Sequence, residues 1–123
     1  MTLLWTFALV GAFEMTLDQA ISDFLAGRLD ASAAALDQAV TEDPAGFTAN
    51  SMGYLRGRIA EMDQNWQRAF DEFSKTPTNS PLRPMAVWHA SMNALRLGDV
   101  QQAFDLYQQL PLDFPTTLRS QLA

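Results

Sequence analysis

The sequence contains a single histidine, and histidine-dependent chemistry would have to be built around it. The residues one helical turn away from His89 are Met85, Met92 and Asn93. This set supplies neither a second strong metal ligand nor the nucleophile and carboxylate of a catalytic triad. The chain also has no cysteine, which excludes thiolate metal sites, thiol nucleophiles and disulfides. We therefore expect His89 to be a packed helix residue beside Trp88, with no metal and no cofactor.

The closest acidic pairs also lack the spacing of a catalytic site. Glu42 and Asp43 are adjacent in sequence, as are Asp71 and Glu72. On a helix, adjacent side chains point to different parts of the surface, so neither pair can flank one bond of a substrate. These carboxylates are expected on solvated faces. No enzymatic activity is predicted for this chain.

The charge balance argues against nucleic acid as a partner. The chain has 14 acidic and 8 basic residues, a formal net charge of −6, and residues 1–50 carry the whole excess with Arg28 as their one base. Arg56, Arg58 and Arg68 are the one basic concentration, and neighbouring acids provide ion-pair partners for them. An acidic chain without a basic stripe binds a phosphate backbone poorly. We therefore predict a protein or peptide partner.

Residues 1–13 differ in composition from the rest of the chain. Leu3 to Phe13 is an uncharged run of 11 residues, whereas a transmembrane helix needs roughly 20, so no transmembrane span is predicted. The run has the length of a signal-peptide apolar region, and Val10-Gly11-Ala12 is similar to a cleavage site, but no Lys or Arg precedes it. A signal remnant and a capping helix both fit. We divide the chain into residues 1–13 and a domain at 14–123.

After Glu14, apolar residues recur at helical spacing and no alternating strand pattern competes. Gly27 and Gly98 follow apolar runs, as glycines at helix C-termini do. Two pairs have the spacing of a capping box, Thr16 with Gln19 and Asp99 with Gln102. The short connections predict an all-α fold of antiparallel helix hairpins. The predicted helices are 16–26, 30–42, 47–63, 66–75, 81–97 and 100–110, with a seventh that begins near Thr116.

The hairpins are related by a repeat. The prolines that close the second helix of each pair are Pro44, Pro81 and Pro115, and the first of their two intervals is three positions longer than the second. In the last pair, Ser91 and Ala103 are small, so the two helices can approach each other, and Tyr107 is expected to fill the space beside them. This pattern resembles the tetratricopeptide repeat, a helix pair with a period of about 34 residues, small residues at the crossing and a proline at the exit.

The resemblance covers residues 14–115 in about three units and is clearest in the third. The second unit has Gln64 and Asn65 where a Gly-Asp turn is expected, and about three extra residues in its first helix. The first unit has Ser32 where alanine is usual. The pattern is also similar to repeats in bacterial envelope proteins of the outer-membrane-assembly and Tol-Pal accessory type. That similarity favours the periplasm or cell envelope over the cytoplasm.

The resemblance implies a right-handed superhelix in which the first helix of each unit lines a concave groove. Projection of the helices onto that groove gives five peptide-binding candidates: Tyr54, Arg58, Trp88, Met92 and Arg96. The aromatic residues and the methionine are expected to anchor a helix or extended peptide, and the arginines to orient it. We expect mainly apolar binding with little dependence on salt. The alternative is that the protein itself covers this surface.

Two other roles also fit the sequence. The array is similar to the helical part of lytic transglycosylases, where it would be a structural segment of a larger envelope enzyme. It would otherwise be an assembly module that self-associates through an uncapped end. Our first choice is a non-enzymatic interaction or scaffold module.

Overall fold

The computed structural model describes residues 2–111, with side chains from residue 11 onward. These residues form seven α-helices and no strand, which confirms the all-α prediction. Pro115 and the helix predicted near Thr116 lie outside the described residues. The helices are α1 (Thr2–Leu25), α2 (Leu29–Glu42), α3 (Pro44–Ala49), α4 (Met52–Met62), α5 (Trp66–Ser74), α6 (Arg83–Arg96) and α7 (Val100–Tyr107).

Three turns of one type join α1 to α2, α4 to α5 and α6 to α7 into hairpins. Their central residues, Gly27, Gln64 and Gly98, have positive φ angles of 80°, 60° and 84°. In each turn the next residue donates its N–H to a carbonyl five residues back, as Asp99 does to Ala94 at 2.9 Å. This is the hydrogen bonding of a Schellman C-cap. The three left-handed residues are separated by the same two intervals as the prolines.

Small residues lie where the two helices of each hairpin cross. They occur seven residues before and five residues after the left-handed residue, and all of them are buried. The pairs are Ala20 with Ser32, Gly57 with Ala69, and Ser91 with Ala103. Both serine hydroxyls donate across the crossing to the carbonyl of the paired alanine, at 2.7 and 2.9 Å. The predicted close approach at Ser91 and Ala103 is confirmed. At Gly57 a Cβ atom would lie 2.9 Å from the Phe73 ring.

The helix start predicted at Thr16 is wrong. The first helix is continuous from Thr2 to Leu25, and the Thr16 hydroxyl donates to the carbonyl of Ala12, one turn earlier, at 2.8 Å. A threonine bonded in this way lies inside a helix and does not cap it. No helix among the described residues has both the length and the apolar character that a membrane crossing requires. The division of the chain at residue 13 stays a prediction.

The single helix predicted at 47–63 is also wrong, because α3 and α4 are separate helices. Asp43 caps α3 by accepting a hydrogen bond from the backbone N–H of Gly46. Ser51 then interrupts the helix, because its backbone is in the left-handed region with a φ of 59°. Its hydroxyl lies 2.7 Å from the hydroxyl of Ser80. The three extra residues of the second unit are therefore accommodated by this break. Ser80, the partner of Ser51, lies shortly before α6. This helix begins at Arg83, two residues later than predicted.

The buried side chains form two clusters. The first lies between α1, α2, α3 and α4 and includes Leu17, Leu36, Phe47 and Ile59. The second lies between α4, α5 and α6, with Phe73 at its centre. Each cluster is shared between consecutive hairpins, so a hairpin buries its apolar face by packing on its neighbour.

Tyr107, which the sequence predicts to fill the space beside Ser91 and Ala103, is less buried than its counterparts. The residues at the same position of the other two hairpins, Leu36 and Phe73, are fully buried. Tyr107 is half exposed. The reason is that α6 packs on α5 and covers Phe73, whereas no helix follows α7 within residues 2–111.

Candidate binding groove

Helices α4 and α6, the first helices of the second and third hairpins, bring two polar stripes together. Each stripe has its residues at positions i, i+4 and i+7, which lie on one face of a helix. We call these six residues the α4–α6 cluster. They are Tyr54, Arg58 and Glu61 on α4, and His89, Asn93 and Arg96 on α6.

Glu61 is at the centre of the cluster. One carboxylate oxygen, Oε2, lies 3.0 Å from Nδ1 of His89 and accepts a hydrogen bond from Nδ2 of Asn93 at 2.8 Å. The same oxygen is 3.4 Å from Nη1 of Arg96, and Oε1 is 3.9 Å from Nε of Arg58. A single, largely buried carboxylate therefore faces two guanidinium groups, one imidazole and one amide.

Aromatic rings hold His89 in place. The imidazole stacks on Phe73 with a centroid distance of 4.9 Å and meets the edge of Trp88 at the same distance. Tyr54 contacts both Phe73 and His89 edge-on. The expectation that His89 packs beside Trp88 is confirmed.

Burial lowers the pKa of His89 below its ordinary value of 6.5, although the charge and hydrogen bond of Glu61 oppose this shift. The positive charges of Arg58 and Arg96 lower the pKa further. His89 is consequently neutral at pH 7. Because a carboxylate only accepts hydrogen bonds, the neutral ring donates to Glu61 from Nδ1.

The structure places the five predicted binding residues in or beside this cluster. Arg58 donates to the Tyr54 hydroxyl at 3.3 Å, and the guanidinium of Arg96 stacks over a neighbouring indole ring, as described below. The side chains of Arg58 and Arg96 remain 31% and 39% exposed. Trp88 is half-buried against His89, and Met92 is half-buried one turn further along α6. Their role in binding stays a prediction.

Sequence reasoning missed the residues that organise the site. Neither Glu61 nor Asn93, which is fully buried, is among the five predicted binding residues. Trp66 was also missed, although the guanidinium of Arg96 lies 4.5 Å from its ring centroid. One signal was present in the sequence, since His89, Asn93 and Arg96 form a polar stripe at helical spacing on α6. Glu61, which this stripe contacts, lies 28 residues before His89, so local spacing does not show that they meet.

The first hairpin contributes a different surface. Leu17, which corresponds to Tyr54 and Trp88 in the repeat, is buried in the first apolar cluster. A cavity of about 430 Å³ lies at this end of the molecule, between Phe13 and Leu17 on one side and the carboxylates of Glu42 and Asp43 on the other. Asp43 already caps α3. Leu17 therefore adds no exposed anchor beside the α4–α6 cluster.

The α4–α6 cluster can hold charged and apolar groups, but it contains neither a hydroxyl nucleophile next to a base nor a second carboxylate. Residues 2–111 contain no group of three or more His, Cys, Asp or Glu side chains arranged to hold a metal ion. Comparison with known proteins adds no assignment, since no family model, no curated protein and no solved structure matches this chain.

Proposed function

We propose that this chain is a non-enzymatic interaction module of three tetratricopeptide-like repeats in a right-handed superhelix. It binds a helix or extended peptide along the surface formed by α4 and α6. The repeat assignment is supported by the three equivalent turns, their nearly equal spacing along the chain, and the small residues at each crossing. In such an array the first helices of consecutive units lie side by side, as α4 and α6 do.

The observation that carries the proposal is the charge of the α4–α6 cluster. Two arginines share one carboxylate, Glu61, and His89 is neutral. The cluster therefore has an excess of one positive charge in a chain whose net charge is −6. Both arginine side chains are partly exposed, and guanidinium binds carboxylates through paired hydrogen bonds. A partner with an acidic side chain at this position would neutralise the excess.

Apolar side chains of α4 and α6 would supply most of the contact area. Tyr54, Trp88 and Met92 are half-buried, and Met62 and Leu95 are about half exposed on the same two helices. Aromatic residues and arginine dominate the binding energy of protein interfaces, and methionine adapts to irregular surfaces. The partner is therefore expected to present apolar side chains on both sides of its acidic residue.

The cluster is also organised before a partner binds. Arg96 is held between Trp66 and Glu61, and Arg58 is held by Tyr54 and Glu61. Side chains that are already ordered lose less conformational entropy on binding. This order distinguishes the two arginines from long surface side chains that are free to rotate.

The proposal is tested with peptides selected on the whole chain from a displayed library of random helical and extended sequences. A fluorescent copy of an enriched peptide is titrated against wild type, Trp88→Ala, Met92→Ala and Arg58→Gln. Each variant should weaken binding about tenfold or more, the effect typical of an interface anchor. Replacing the acidic residue of the peptide with its amide should weaken wild-type binding and have little further effect in Arg58→Gln.

Leu25→Ala on α1 is the matched control, because it shortens an exposed apolar side chain on a helix that contributes no residue to the cluster. It should bind the peptide as wild type does. The helical circular dichroism of all variants should stay close to that of wild type. The groove proposal is wrong if enriched peptides bind Trp88→Ala and Met92→Ala normally, or if these two variants unfold and thereby show that both residues belong to the core.

A further inference from the structure

His89 is more buried than the two arginines of the proposed groove. Its side chain is 12% exposed, against 31% for Arg58 and 39% for Arg96. A bound peptide would therefore contact the guanidinium groups in preference to the imidazole. His89 is nevertheless coupled to the arginines, because its Nδ1 lies 3.0 Å from the same oxygen of Glu61 that lies 3.4 Å from Nη1 of Arg96. A proton on His89 would act on the peptide through its charge and not through contact.

Three helices surround the His89 ring. Among the described residues, the charged and titratable side chains that face it are Glu61, Arg58 and Tyr54 on α4 and Arg96 on α6. The contribution of α5 is the uncharged Phe73, which stacks on the ring. Two positive charges and one negative charge therefore act on the imidazole. A proton on His89 raises the charge of the cluster from +1 to +2, beside the carboxylate that offsets the arginines.

A bound acidic peptide would act on the pKa of His89 in two opposite directions. A carboxylate at the guanidinium groups favours the charged imidazolium, whereas further burial disfavours it. Burial already lowers the pKa of His89 in the free protein, and little of the side chain remains to be covered. The charge of the peptide is new, but most of the desolvation is already present. The charge is therefore the larger effect, and the pKa of His89 should rise when the peptide binds.

We propose that the α4–α6 groove binds an acidic peptide together with a proton, which His89 takes up from solvent. This inference rests on the proposed function, because it assigns a regulation to the same site. The coupling is reciprocal, so that protonation strengthens peptide binding by the same factor by which the peptide strengthens protonation. The groove consequently holds its partner more tightly in mildly acidic solution than at pH 7.

The test uses the whole chain and an enriched fluorescent peptide without histidine, in an acidic form and in the matching amide form. Its dissociation constant is measured from about pH 7.5 to about pH 5, where the acidic residue of the peptide stays mostly ionised. Wild type should bind the acidic peptide about threefold or more tightly at the lower pH, and linkage to one proton limits the change to about tenfold per pH unit. The amide peptide should show little change.

His89→Gln is the matched variant, because glutamine is polar and does not titrate. It should bind the acidic peptide with nearly the wild-type affinity at pH 7.5, where His89 is neutral, and with the same affinity at pH 5. Circular dichroism at each pH restricts the comparison to folded protein. A second measurement needs no variant, since the chain has one histidine. Its ring signals in NMR spectra give the pKa of His89 with and without peptide, and the acidic peptide alone should raise it.

A pKa of His89 that is unchanged or lower in the complex overturns the proposal. A pH dependence of binding that persists in His89→Gln or with the amide peptide also overturns it. In both cases the peptide still binds the groove, so the proposed function stands. If no enriched peptide depends on Trp88 or Met92, the proposed function fails and this proposal fails with it.

Discussion

The two junctions between hairpins are built differently. The first hairpin meets the second through α3, where Phe47 lies in an apolar cluster with Leu36 and Ile59. Ion pairs at this junction lie near the surface, as between Arg56 and the exposed Asp37. The second hairpin meets the third through the direct packing of α5 on α6, with the polar α4–α6 cluster beside it. The first junction depends on apolar burial. The second also contains charged side chains that are partly buried.

Under the proposed function, the difference separates stability from recognition. Apolar burial at α3 holds two hairpins together, and the charges at its surface, such as Arg56 and Asp37, already pair with each other. At the second junction, partial burial keeps the arginines ordered while leaving them accessible, and it also changes the protonation of His89. Substitutions at the first junction should therefore affect the free energy of unfolding alone. Substitutions at the second should affect binding and pH dependence as well.

The largest effect is expected from Phe47→Ala. The Phe47 side chain is almost completely buried at the first junction, and truncation of a buried Phe to Ala costs about 3–5 kcal/mol. The change should lower the free energy of unfolding by about this amount in urea titrations, while the affinity for a groove peptide measured under folding conditions stays unchanged.

Leu25→Ala removes an apolar side chain that is exposed on α1, so it serves as the control for Phe47→Ala. Its effect should stay within about 0.5 kcal/mol, as for most surface substitutions. Equal effects of the two substitutions would contradict the assignment of Phe47 to the first junction.

A smaller effect is expected at the second junction when the pH is lowered. The folded protein binds the His89 proton less readily than the unfolded chain, since burial lowers the pKa below 6.5 in the folded state. Stability should therefore be complete above about pH 6.5 and should fall as the pH is lowered towards the depressed pKa of the folded state. For one histidine the slope cannot exceed about 1.4 kcal/mol per pH unit.

His89→Gln should flatten this dependence between pH 7 and 5, because glutamine does not titrate. Asp23 does not interfere in that range. Its hydrogen bond from Arg28, and then that from Gln19, lower its pKa below 3.8, so its contribution is lost only in stronger acid. Chemical unfolding at several pH values measures both slopes. A variant that retains the wild-type slope would show that another group titrates in this window.

The smallest effect is expected from Asp37→Asn at the first junction. Asp37 lies 2.6 Å from Nη2 of Arg56 but is 58% exposed, and exposed ion pairs contribute about 0–1 kcal/mol. The substitution should change the free energy of unfolding by about 0.5 kcal/mol or less, and this difference should shrink further in high salt. A loss of several kcal/mol would mean that charge, and not apolar burial, holds the first junction together.

The boundaries between paired helices could be predicted because their causes are local. Gly27 and Gly98 adopt left-handed conformations at little cost, and Asp99 accepts a hydrogen bond from the backbone of Gln102 within the same turn. The repeat spacing even placed Gln64 at the corresponding turn, where it adopts the same conformation without being glycine. Small residues at the crossings were visible for the same reason, because the helix period fixes their face.

Other features were invisible because their causes are remote in sequence. Thr16 has the spacing of a helix cap, yet it lies inside α1, since the apolar segment before it continues the helix. Ser51 interrupts a region with helical spacing, and its hydroxyl partner is Ser80, 29 residues away. Tyr107 matches the repeat pattern but is half exposed, because within residues 2–111 no helix covers it as α6 covers Phe73.

The sequence by itself therefore determined the helical class, the hairpin turns and the spacing of the repeat, because capping, left-handed glycines and helix periodicity act over one or two turns. Tertiary structure decided the site. Glu61 meets His89 and Asn93 only because α5 carries the chain back and packs α6 beside α4. The charge excess of the arginines and the depressed pKa of His89 follow from that meeting, since both depend on burial and on partners that local spacing does not specify.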